Sequence, residues 1–98
     1  MVMPKEFKLF NQIIKVKYSR TLIDKKKAFG VWEYNKNTIT LQQSTREHKL
    51  TENQITQTFI HEAVHASLDL MGHHELSNNE IFVSTFSNLM HQLIGDDE

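Results

Sequence analysis

Two histidines four residues apart, with a glutamate directly after the first, are the residues of this chain best placed to do chemistry: His61-Glu62-Ala63-Val64-His65. On a helix, positions i and i+4 stand one above the other on one face, so both imidazoles can reach a single ion. Glu62 lies about 60° around the helix from His65, where it flanks an ion rather than ligating it. From there it can take a proton from a water that the metal activates. The alternative is a buried helix whose histidines are hydrogen-bonded core residues. The chain has no cysteine, which leaves His, Asp and Glu as the strong ligands. That set suits zinc or another borderline cation, and manganese or iron would use similar groups.

The elements that must position these residues change character near residue 50. Residues 12–20 (QIIKVKYSR) alternate apolar and polar, and 29–34 (FGVWEY) and 38–43 (TITLQQ) are two further β-rich runs around the polar turn NKN. Residues 21–28 read as a helical turn or a loop. Beyond residue 50 the periodicity is helical. Thr51-x-x-Gln54 is a capping box that opens a helix to about Met71, with Gly72 as its stop. Ser77-x-x-Glu80 has the form of a second box, opening a helix to about Ile94. The expectation is an α+β fold, a small antiparallel or mixed sheet packed on two C-terminal helices, with residues 1–98 as one domain.

On the first helix, Ile55, Phe59, Ala63 and Leu70 cover one side and Ile60, Val64, Leu68 and Met71 another. The remaining stripe holds Gln54, Thr58, His61, Glu62, His65 and Asp69. A helix apolar around most of its circumference is buried. On the second helix Phe82, Val83, Phe86, Leu89, Met90, Leu93 and Ile94 read as core. Glu80, Ser84, Ser87 and His91 read as its solvated stripe, with His91 about 16 Å along the axis from Glu80, too far to share its ion. Trp32 and Tyr34 fall on one strand face and read as core. Asp69, a turn beyond His65, suits a supporting hydrogen bond.

The net charge of −1 conceals a segregation. Residues 1–50 carry all eleven Lys and Arg against four acids (+7), and residues 51–98 carry eight acids and no Lys or Arg (−8). The simplest reading is that the two halves neutralise each other within one fold, so nucleic acid is an unlikely partner. No apolar run reaches membrane-spanning length, and the first residues lack the apolar core of a secretion signal, so a cytoplasmic protein is expected.

HEAVH on a buried helix after a small sheet resembles the zincin metallopeptidases. The following helix, NNEIFVSTFSNLMHQLI, resembles the gluzincin branch, and more narrowly the small ImmA/IrrE-like and phage-encoded metallopeptidase-type proteins. The resemblance covers roughly residues 28–94. It implies a minimal zincin core, a zinc ion, and a third ligand at Glu80. It also implies a hairpin, GVWEYNKNTITL, whose edge strand can bind an extended peptide. The gluzincin pattern N-E-x-x-S-D is met at Asn79 and Glu80, but Ser84 lies one place late. Glu80 also has a competing role, because a carboxylate folded back onto the Ser77 amide cannot reach zinc. His73 and His74, where the chain reverses after Gly72, are alternative ligands. The metzincin position for a third histidine is occupied by Met71. Tyr34, His73 and His74 are candidates for stabilising an oxyanion.

Two functions follow as expectations. One is a zinc-dependent peptidase, with metal on His61, His65 and Glu80 and Glu62 as general base, acting on a protein or peptide; the resemblance points to a regulatory protein as substrate, in a phage or prophage setting. The other is a zinc-stabilised zincin-fold module that binds a protein partner with little or no turnover.

Overall fold

In the computed structural model, which describes residues 3–95, the first half of the chain forms a four-stranded mixed sheet and the second half two long helices linked by a short one. The strands are β1 (Glu6–Leu9), β2 (Gln12–Ser19), β3 (Gly30–Glu33) and β4 (Thr38–Gln42), in the order β1-β2-β4-β3. β1 pairs antiparallel with β2, β2 parallel with β4, and β3 antiparallel with β4, so β3 is a sheet edge. The parallel pair requires a crossover, which begins with the short helix α1 (Leu22–Lys26). Gln42, almost wholly buried, anchors α1 by accepting from the Ile23 N–H and donating to the Arg20 carbonyl.

The alternation read in residues 12–20 has the expected result: Ile14 and Val16 are buried, and with Ile39 and Leu41 they form the inner face. Phe59 and Ile60 of the helix α2 (Glu52–Leu70) pack on it. β1 was not expected, since Glu6–Leu9 is short and polar at alternate positions. Its Phe7 nevertheless meets Phe59 edge-on, with ring centres 5.7 Å apart. The strand around Trp32 ends one residue early. Tyr34–Lys36 form a 3₁₀ turn closed by Asn37 at φ +47°, so Tyr34 leaves the strand face and is exposed rather than core.

α2 begins as its sequence dictates. The Thr51 hydroxyl accepts from the Gln54 N–H at 3.1 Å, and the Gln54 side chain accepts from the Thr51 N–H at 2.8 Å. It ends in a Schellman motif at Gly72, φ +83°, where the His73 N–H bonds the Leu68 carbonyl and the Gly72 N–H that of Asp69. This reversal leads into α3 (His74–Ser77) and α4 (Glu80–Gly95), which returns along α2. Among the described residues no helix is long and apolar enough to cross a membrane.

α4 is rotated relative to the reading of its sequence. Ser87 and His91 are buried (1% and 7% exposed) together with Val83. Ile81, Phe86, Leu89, Leu93 and Ile94, of which all but Ile81 had been read as core, are exposed, Leu93 to 74%. The supposed solvated stripe faces α2, and much of the apolar stripe faces outward. Leu93→Gln is therefore expected to change the unfolding free energy by no more than about 0.5 kcal/mol. Val83→Ala should lower it by about 2 kcal/mol. Urea denaturation of the two variants would show the opposite ranking if the apolar stripe were the packed one. Among the described residues, the ion pair made by a lysine or arginine is Lys36–Glu33, within the basic half.

Candidate metal centre

α2 and α4 place three ligand atoms around one point. His61 Nε2 lies 3.4 Å from Glu80 Oε2, and His65 Nε2 lies 2.9 Å from Glu80 Oε1. All three ligand atoms fall within 4.8 Å of one another, and the imidazole rings are 5.0 Å apart. Glu80 is free to take part because the expected Ser77 capping box does not form. Asn79 caps α4 instead, its side chain accepting from the Phe82 N–H at 3.1 Å, and Glu80 opens the helix with its carboxylate turned to the histidines.

Serines fix both imidazoles. The Ser77 hydroxyl, which donates to the His65 carbonyl, sits 3.1 Å from His65 Nδ1. Ser87, which donates to the Ser84 carbonyl, sits 3.5 Å from His61 Nδ1. In the tautomer whose Nδ1–H donates to its serine, each ring presents an Nε2 lone pair, the form that a metal ion requires. Burial, and next the neighbouring His65, push His61 below its ordinary value; Glu80 opposes this. In that tautomer two imidazole lone pairs and a carboxylate converge on one point, which a cation could occupy. These three groups, with one side open to solvent where Glu80 is exposed, could hold a metal ion.

Glu62 stands next to this centre but not in it. Only 8% exposed, it is pushed up to about 7, first by burial and then by the charge of Glu80. A hydrogen bond from the Trp32 backbone N–H works in the other direction. β3 approaches α2 so closely because residue 30 is glycine. A Cβ there would stand 2.6 Å from Thr58 Cγ2 and 3.1 Å from Glu62 Cγ. Gly30→Ala is expected to cost about 1–3 kcal/mol, with part of the loss recovered in Gly30→Ala/Thr58→Ser. Thermal denaturation of the single and double variants measures both.

The other candidates lie apart from the triad. His74 Nδ1 pairs with Asp69 Oδ1 at 2.9 Å, and Asp69 Oδ2 accepts from the Trp32 indole N–H at 2.8 Å. The supporting hydrogen bond read for Asp69 thus goes to Trp32 and His74, not to the paired histidines. Tyr34 meets His74 edge-on at 5.4 Å. His73 is exposed at the start of α3 and makes no capping bond. Neither His73 nor His74 belongs to the converging set. Ser77, Ser87, Asn79 and Trp32 were not singled out for these roles. Asn79 alone carried a local signal, since asparagine is among the best N-caps. An open cleft of about 510 Å³ runs from the triad between the start of β3, the first half of α2 and the middle of α4, with His61 and Glu62 in its wall.

Compared with family models, curated proteins and solved structures, the chain matches none.

Proposed function

We propose that the protein is a metal-dependent peptidase of zincin type, with zinc as the metal. The observation that carries this reading is the convergence of His61, His65 and Glu80 within 4.8 Å, beside a glutamate pushed up to about 7. A bound zinc ion supplies Lewis acidity, polarising a substrate carbonyl and making a water acidic enough to attack near neutral pH.

The chain's own groups do the rest. Glu62 takes the proton of the attacking water and returns it to the leaving amine. A carboxylate balanced near neutrality can move a proton in both directions. The Trp32 N–H fixes the direction of that carboxylate, and the indole bond to Asp69 ties the same residue to the next turns of α2. Ser77 and Ser87 stand beside Nδ1 of the two rings, where they can accept from Nδ1–H and so leave Nε2 for the metal. β3, the sheet edge beside Glu62, offers main-chain groups to an extended segment of a protein or peptide substrate. Incubating zinc-loaded protein with a mixed peptide library tests the reading: cleavage should appear and stop on adding a chelator. Stoichiometric zinc without any cleavage would favour the binding module instead.

A further inference from the structure

The cleft beside the triad has an unusual wall for a chain that is 23% charged. Among the described residues, Glu62 is the sole carboxylate lining it, and no lysine or arginine does. Phe29 and Leu50 supply apolar surface, and Gln54, Gln57 and Asn88 supply primary amides. Across the cleft wall, the Gln57 side-chain N–H donates to Asn88 Oδ1 at 2.7 Å, linking α2 to α4. That bond sets both amides. It leaves Gln57 Oε1 as an acceptor and Asn88 Nδ2 as a donor, neither engaged by another described residue. One free acceptor beside one free donor complements a carboxamide, which presents the same two groups in reverse.

We propose that this cleft is a side-chain subsite for the bound peptide, taking a neutral side chain with an apolar stem and a carboxamide tip, of the glutamine type. The inference rests on the peptidase reading for the position of the peptide. Gln57 and Asn88 are both exposed, so selection here rests on hydrogen-bond complementarity: a lysine or arginine can use only the Gln57 acceptor and a carboxylate only the Asn88 donor, and neither finds a counter-charge on that wall.

The test is a positional-scanning peptide library presented to the zinc-loaded protein, with retention and cleavage read separately. Wild type, Asn88→Asp and Gln57→Glu are compared, each first matched for its unfolding midpoint. At one peptide position, wild type should retain glutamine at least tenfold better than Lys, Arg, Asp or Glu. Asn88→Asp and Gln57→Glu should each raise retention of Lys and Arg there by about tenfold or more. Equal retention of charged and neutral side chains, a preference that neither variant moves, or no retention of any peptide overturns the subsite. Retention with the expected preference but no cleavage leaves the subsite standing and overturns only the peptidase reading.

Discussion

Glu62→Gln is expected to keep its metal and its fold while hydrolysis falls by about 10²–10⁴-fold, the contribution typical of a positioned general base. The reason the two effects separate lies in the geometry. Glu62 supplies none of the three converging atoms, so its replacement leaves the ligand set intact. Its carboxylate is buried and pushed up to about 7, so folding already disfavours its charge. A neutral amide of the same shape meets no such penalty, and its carbonyl oxygen still accepts from the Trp32 N–H. Steady-state cleavage of a library-derived peptide, with zinc content measured on the same preparations, decides the point. Loss of metal in Glu62→Gln would make Glu62 a ligand. Unchanged turnover would remove it from the chemistry.

Zinc should stabilise the wild-type protein and fail to stabilise Glu80→Ala. A ligand that binds only the folded state at a hundredfold excess over its dissociation constant adds about 2.7 kcal/mol. For a domain of this length each kcal/mol moves the melting temperature by roughly 4–8 °C, so a shift of roughly 10–20 °C is expected. Without metal the sign reverses for a second variant. With Nδ1 protonated in both rings, Glu80→Gln replaces an acceptor that faces two Nε2 lone pairs with an amide that can donate to one of them. The metal-free variant should equal or exceed wild type in stability, by up to about 1 kcal/mol. A calorimetric scan of the three proteins, with zinc and with chelator, reads all of this. A metal-free Glu80→Gln markedly less stable than wild type would show that Glu80 accepts from an Nε2–H of His61 or His65 instead of facing bare lone pairs.

The parts of the fold visible in the sequence are those encoded locally. The Thr51–Gln54 box, the glycine stop at residue 72 and the alternation of residues 12–19 need only neighbours along the chain, and each appears as read. The pairing of His61 with His65 was legible for the same reason. What failed was phase. Assigning Glu80 to the ion and its stripe to solvent were incompatible readings, because Ser84, Ser87 and His91 follow Glu80 at helical spacing and turn with it. Once Glu80 points at the histidines, α4 must bury Ser87 and His91 and expose Leu89 and Leu93. The cost is visible in His91, whose Nε2 is buried without a partner among the described residues. The cap failed by competition. Asn79 and Ser77 both suit an N-cap, and Ser77 instead holds His65 from twelve residues away, a contact with no periodic signature. Likewise, nothing near Gly30 in sequence announces Thr58 and Glu62 as its neighbours; only the packing of β3 on α2 does.

The three converging ligands are the centre of the proposed function, so zinc binding is the measurement that bears on it most directly. Metal-stripped wild type, His65→Ala and Glu80→Ala would be dialysed to equilibrium against buffered zinc, and bound metal counted per chain. One zinc per wild-type chain, with affinity reduced at least a hundredfold in both variants, is the predicted result. Binding by wild type that survives Glu80→Ala unchanged, or no binding by wild type, would contradict it and return His61 and His65 to the role of helix-packing residues.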